Sequence, residues 1–327
     1  MTTDATERGI GMTDKKLERI NGLFDTWRIP GGPGGQVLIK KDRRIVYEEC
    51  FGLANLEQCA PVTNATRFNI ASNSKQFTVT AVLMLMEQGL LSVDDDIRKY
   101  IPELVSFGET VTVHQLMTHT SGLRDVVDLL VQSGRRIDDT VTQQDALRMI
   151  SIQRGLCFKP GSRYMYSNSN FVCLAAIAEK LSGMPLPRFL ESRIFAPLGM
   201  RDTVLEDRYW ILVPQASTSY YDSGNAFLHC VFNSGFYGDG NIWTTARDLS
   251  VWLEKQYIEP SLLKPDTIRF MQTLPVMPGG ESTFYACGLV LGEVGGHTMI
   301  THGVGTAMGD HGMPAHLAKH EPARVER

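Results

Sequence analysis

The chain has 327 residues, 43% of them apolar and 21% charged, with 32 basic against 36 acidic side chains and a formal net charge of −4. This composition excludes a disordered or collagen-like chain, and the mild acidity argues against a nucleic-acid partner. The length suits two subdomains rather than several.

Residues 1–12 contain Asp4, Glu7 and Arg8 and no apolar core, unlike a secretory leader, so a cytoplasmic setting is expected. No stretch reaches the ~18 unbroken apolar residues of a membrane span, so no membrane partner is expected. Even 77–91 is interrupted by Glu87 and Gln88. Leu17, Ile20, Leu23, Phe24 and Trp27 recur at helical spacing, which predicts an amphipathic helix over 13–27, stopped by the Gly/Pro cluster at 31–35. Residues 36–40 and 44–51 read as an antiparallel hairpin around the polar turn 41–43. The segment 76–89 is apolar almost all round (Phe77, Val79, Val82, Leu83, Met84, Leu85, Met86), which marks a helix buried on every side.

Thr112 and Thr142 are N-cap candidates for helices over 113–118 and 143–153. Helices over 168–181, 186–195 and 245–257 follow, and strands over 284–292 and 297–301. Strands at both ends with helices between predict an α/β (α+β) fold. In it an antiparallel sheet flanked by helices is built from both termini (1–60 and 230–306), with a mainly helical domain, 61–229, inserted. The cleft between such domains is where a site is expected. Cys50, Cys59, Cys157, Cys173, Cys230 and Cys287 form no C-x-x-C pair and are expected to stay thiols.

Three places carry chemistry. Ser72-Asn73-Ser74-Lys75 precedes the apolar helix, and an i, i+3 spacing puts Ser72 and Lys75 on one face, one turn apart. A serine is a poor nucleophile until a base takes its proton. A lysine serves only where burial or a nearby positive charge lowers its pKa from ~10.4. A helix N-terminus there favours developing negative charge, and the Ser72 N–H can face an oxyanion. On spacing alone, a capping serine with a solvated lysine accounts for the same letters. Second, Tyr166 and Asn168 follow the turn Lys159-Pro160-Gly161. A tyrosine beside a lysine can act as a general base, and an asparagine amide can both donate to and accept from a substrate. A packed tyrosine and a capping asparagine are the plain alternative. Third, His302-Gly303-Val304-Gly305 follows the last strand, where a backbone N–H, from Gly305, can stand opposite that of Ser72. A glycine turn with a satisfied histidine is the plain alternative there.

In this order, S-x-x-K, Y-x-N and a strand end bearing a basic residue and glycine resemble the serine β-lactamase and penicillin-binding-protein family, whose related motifs include S-D-N and K-T-G. The tyrosine form resembles the branch that holds class C β-lactamases, D-aminopeptidases, D,D-carboxypeptidases and β-lactamase-like esterases. His302 in place of the third-motif lysine is similar to the aminopeptidase and esterase members. Phe68-Asn69-Ile70-Ala71-Ser72, Gln115-Leu116-Met117-Thr118-His119-Thr120-Ser121-Gly122-Leu123, Pro197-Leu198-Gly199-Met200, and Gly240 with Trp243-Thr244-Thr245-Ala246 extend the resemblance over about 12–306.

The resemblance implies a β-lactamase-like fold and a serine hydrolase working through an acyl-enzyme without metal or cofactor. Ser72 would be the nucleophile, and Tyr166, hydrogen-bonded to Lys75, would take its proton. The N–H groups of Ser72 and Gly305 would hold the oxyanion, and Asn168, His302 and Gly303 would meet the substrate. His302 would assist proton traffic or bind a substrate carboxylate. The substrate would be a small ester, amide or short peptide, and the missing leader argues against dedicated cell-wall work. The oligomeric state is open.

Two departures favour an alternative, a catalytically impaired fold descendant acting as a scaffold or binding protein. Val304 stands where the family usually has a second glycine. The residues 307–327 read as an irregular tail, as if from a shortened or altered reading frame that leaves a sheet edge unpaired. The tail carries His311, His316 and His320, but no cysteine nearby completes a metal set, and none is expected to bind.

Overall fold

The amphipathic opening segment forms helix α1 (Asp14–Leu23) in a computed structural model that describes residues 14–136, 138–230 and 233–303. A single 3₁₀ turn (Asp25–Trp27) follows. The hairpin forms as expected, with Gly35–Lys41 antiparallel to Arg44–Phe51 and Gly35 opposite Phe51. Asp42 and Arg43 both take positive φ (49° and 65°), the backbone that a two-residue hairpin turn requires. Phe24, Tyr47 and Phe51 form a small cluster between α1 and this hairpin, with Trp27 packed against it.

The 3₁₀ turn Ala71–Ser74 leads directly into α2 (Lys75–Glu87). Its flanks are sealed: Phe77, Val79, Val82, Leu83 and Leu85 are all buried, as an apolar circumference dictates. Phe77 stacks on Trp252 with ring centroids 4.0 Å apart and meets Phe195 edge-on at 5.7 Å. The buried polar side chains of α2 are answered from behind. Gln76 Oε1 accepts from Trp252 Nε1 (2.5 Å) and Tyr257 Oη (2.9 Å), and Thr80 Oγ1 accepts from Gln256 Nε2 (3.0 Å).

The other helices are α3 (Val113–Met117), α4 (Val126–Gln132), α5 (Gln143–Ser151), α6 (Asn168–Ser182), α7 (Leu186–Leu190), α8 (Ala196–Leu198), α9 (Ala246–Leu253) and α10 (Pro265–Met271), of which α6 and α7 pack on α2 and α3, α4 and α5 on α6. The segments 186–195 and 245–257 each continue from an α-helix into a π turn, Glu191–Phe195 and Glu254–Ile258. Thr112 and Thr142 cap α3 and α5 in full capping boxes with Gln115 and Asp145. Thr112→Ala is expected to cost about 1 kcal/mol, read as a lower denaturant midpoint at unchanged slope.

Strands elsewhere are short. Ile242–Thr244 pairs antiparallel with Phe68–Asn69 on one side and Val204–Leu205 on the other. Near the C-terminal end, Val290–Val294 pairs antiparallel with His297–Thr301. The strand expected over 284–292 starts only at Val290. Gly288 takes φ 73° and reverses the chain, so that Leu291 N donates to Phe284 O (2.8 Å) and Ala286 N to Leu289 O (2.8 Å).

The fold is mixed α/β with small antiparallel sheets. Among the described residues no ladder joins the N-terminal hairpin to the last one. The N-terminal hairpin is held to α9 and its π turn by side chains instead. Gln36 Oε1 accepts from Ala246 N (2.8 Å), and Lys40 pairs with Glu254 at 2.7 Å. Among the described residues no helix is long and apolar enough to cross a membrane. Val304, Gly305 and the tail from 307 to 327, with its three histidines, lie outside the described residues.

Candidate active site

Phe68 and Asn69 are paired with Thr244 and Trp243, and Ile70 N donates to Ile242 O (2.9 Å). The chain then turns abruptly. Ala71 takes φ 40°, a left-handed backbone that alanine rarely adopts, and its N–H is held by Asn69 Oδ1 at 2.9 Å. This elbow delivers Ser72 to the first turn of the helical run, where its N–H has no intrahelical acceptor.

Lys75 follows one turn later and is fully buried. Its Nζ donates to Ser72 Oγ (3.1 Å), Asn168 Oδ1 (2.9 Å) and the main-chain oxygen of Asp239 (2.8 Å). Three hydrogens meet three acceptors, which accounts for burying an ammonium group here. Ser72 Oγ is also 2.6 Å from Tyr166 Oη. The structure thus brings Ser72, Lys75, Tyr166 and Asn168 together. It corrects one detail: Lys75 has no hydrogen left for the Tyr166 hydroxyl and instead faces the tyrosine ring, 4.8 Å from its centroid. Its Nζ still lies beside the Ser72–Tyr166 pair, where a positive charge would favour negative charge on either oxygen.

Sequence-distant elements set these positions. Asp125, the N-cap of α4, accepts from Val127 N (2.8 Å) and also from Asn168 N, so one carboxylate anchors the start of two helices. Asp239 is brought in by Gly238, whose φ is 101°. A Cβ on Gly238 would lie 2.3 Å from Phe171 O and 2.7 Å from the Ala175 side chain, so only glycine lets this strand of chain press against α6. Thr78 Oγ1 on α2 holds Gly238 O at 2.7 Å. Burial pushes the Asp239 carboxyl up to about 6, against the pull of Lys75, and one of its oxygens is buried without a hydrogen-bond partner.

His302 and Gly303 reach the same region from the end of the last strand. The His302 ring is buried, with Nε2 2.9 Å from Tyr285 Oη and Nδ1 2.8 Å from Gly303 O. The carbonyl requires a proton on Nδ1, so Nε2 accepts from the tyrosine. Burial, and then the Lys75 charge, hold His302 down to about 4. It is a neutral, doubly engaged imidazole, which removes the cation that binding a substrate carboxylate would need. Asp125, Asp239, Tyr285 and His119 were not singled out as site residues from the sequence. The available signals were the Asp before Val126, the acid preceding Gly240, and the histidine in the segment 115–123.

The sign of one pH effect follows. A His302 depressed to about 4 is neutral when folded and protonated when unfolded between its ordinary value and 4. The stability it contributes is therefore present above about 6.5 and lost as pH falls through 4. His119, also held down by burial, acts in the same sense, and Asp239 opposes both between its ordinary value and about 6. Melting temperature should fall from pH 7 to pH 4, and the fall should be smaller in His302→Gln, whose amide does not titrate.

A family model described as Beta-lactamase matches residues 26–312. The chain is similar to a D-aminopeptidase of Brucella anthropi, 31% identical over 280 residues that cover 83% of this chain and 51% of the relative. A D-aminopeptidase of Cereibacter sphaeroides is 30% identical over 295 residues, 89% of this chain and 54% of the relative. Among solved structures, the octameric penicillin-binding protein homologue from Pyrococcus abyssi superposes with a TM-score of 0.75 at 28% identity, over 90% of this chain and 68% of that one. The chain spans between 51% and 64% of the length of the first curated relatives it matches.

Proposed function

The chain belongs to the β-lactamase family, and on that premise we propose that it is a serine hydrolase that cleaves an ester or amide bond through an acyl-enzyme. The observation that carries this reading is the Ser72 hydroxyl held at 2.6 Å from Tyr166 Oη and 3.1 Å from Lys75 Nζ at the start of a helix. With Tyr166 reacting as its phenolate, Ser72 Oγ attacks the substrate carbonyl as its proton passes to the phenolate oxygen, and the Lys75 ammonium stabilises the negative charge shared by the two oxygens. Tyr166 then returns the proton to the leaving group. Water attacks the acyl-enzyme in the reverse sense, with Tyr166 again the acceptor.

The Ser72 N–H, at the helix start, is one donor to the oxyanion, and Gly305 is the proposed second. Losing one such donor typically costs about a hundredfold or more in rate. Asn168 gives its oxygen to Lys75, which leaves its NH₂ group to meet the substrate carbonyl side. His302, neutral and bonded to Tyr285, supplies no charge there, and Gly303 beside it is the proposed contact to the substrate. The similarity to D-aminopeptidases favours an amide next to a D-amino acid as substrate, and a small ester fits the same chemistry.

A fluorophosphonate should add once to the intact chain, as seen by mass, and not at all to Ser72→Ala. No adduct on a sample shown to be folded would overturn the hydrolase reading in favour of a scaffold. Comparing p-nitrophenyl butyrate with D-alanine p-nitroanilide then separates an esterase from an amidase.

A further inference from the structure

Tyr166 lies in residues 163–167, which belong to no helix or strand, so no ladder fixes where its hydroxyl points. His119 does that from three directions. It leaves α3 at φ 56°, a strained backbone for a histidine, and its side chain is fully buried. Its main-chain oxygen accepts from Met165 N (3.0 Å), and its ring Nδ1 accepts from Ser167 N (3.1 Å). These are the residues on either side of Tyr166. The imidazole itself lies along the Tyr166 ring, with centroids 4.3 Å apart and planes 36° apart.

The remaining contacts explain why a histidine is needed. Nδ1 also lies 3.0 Å from the amide nitrogen of Asn170, so it accepts twice and the ring proton is on Nε2. That Nε2 is buried without a hydrogen-bond partner, among the rings of Phe171 and Tyr285. A phenylalanine or leucine would fill the space without orphaning a donor, so the acceptor at Nδ1 is what the cost of burial secures. We infer that His119 is a positioning residue that clamps Tyr166 so that its hydroxyl stays on Ser72. This role rests on the reading of Tyr166 as the proton acceptor.

The test is steady-state hydrolysis of p-nitrophenyl butyrate by the full chain. His119→Leu removes the acceptor and should lower kcat about a hundredfold with KM little changed, the cost of misplacing a reacting group by about an ångström. His119→Asn puts an amide oxygen where Nδ1 stands and should recover most of that loss. In a Tyr166→Phe background, His119→Leu should have no further effect. Equal losses in the leucine and asparagine variants, or an undiminished loss in the Tyr166→Phe background, would overturn the role. If His119→Leu does not melt cooperatively, His119→Gln, whose amide sits one carbon further out, replaces it in the comparison. Asparagine above glutamine supports the clamp, and equal rates overturn it. Full turnover by Tyr166→Phe alone would instead sink the proton-acceptor reading, and this role with it.

Discussion

Lys75→Met is expected to lower turnover by about 10²- to 10⁴-fold, the range that positioned acid–base groups supply, while the chain still melts cooperatively. Methionine matches the length of the lysine stem and carries no donor. Ser72 Oγ, Asn168 Oδ1 and Asp239 O would all lose the hydrogen they now accept. Negative charge developing on the Ser72–Tyr166 pair would have no cation beside it. The fold is less affected because two effects oppose each other. Removing a buried ammonium relieves a large desolvation cost, and orphaning its acceptors returns much of it, so stability should shift by no more than about 2 kcal/mol. Turnover of p-nitrophenyl butyrate and a thermal melt check both halves. A rate within about tenfold of the parent would remove Lys75 from the chemistry.

Gly238→Ala should destabilise the chain by about 3 kcal/mol or more and depress activity with it. Two costs add here. Alanine is strained at φ 101°, and its methyl would lie within 2.3 Å of the main-chain oxygen of Phe171, a backbone atom that cannot swing away. Any relief displaces Asp239, whose main-chain oxygen is one of the three acceptors on Lys75. A lowered denaturant midpoint together with a lowered kcat is the expected pair of results. Loss of stability with kcat intact in the folded fraction would mean that Asp239 O is dispensable for Lys75.

Much of this was legible in the sequence because the strongest signals are local. An apolar circumference marked α2, two short runs flanking a polar turn marked the first hairpin, and Thr112 and Thr142 marked two helix starts. Short elements set by tertiary contacts were not. α4 and α10 have only seven residues each, too few for a helical period to stand out, although Asp125 and Pro265 mark their starts. Residues 284–289 are rich in strand formers, yet Gly288 turns the chain because it must clear α2, where a Cβ would crowd Val79.

The site divides the same way. Ser72 with Lys75, and Tyr166 with Asn168, are visible as spaced pairs. That the two pairs converge is a property of the packing of α2 against α6. Asp239 contributes a main-chain oxygen, which any residue type carries, so its side chain could not announce it. The role expected for His302 differs because its neutrality depends on burial and on the Lys75 charge, and neither is encoded near position 302.

Helix α2 has a consequence for how such a chain can acquire a new substrate. Changing one of its enclosed side chains to a smaller one costs about 2 to 5 kcal/mol, a large part of the 5 to 15 that an ordinary domain possesses. Substitutions at exposed positions usually cost under about 0.5 kcal/mol. Phe284 is 56% exposed and rests on the Tyr164 ring at 5.1 Å, two residues before Tyr166. Diversification therefore belongs to the rim, where a side chain can be exchanged cheaply while the reactive helix behind it stays as it is.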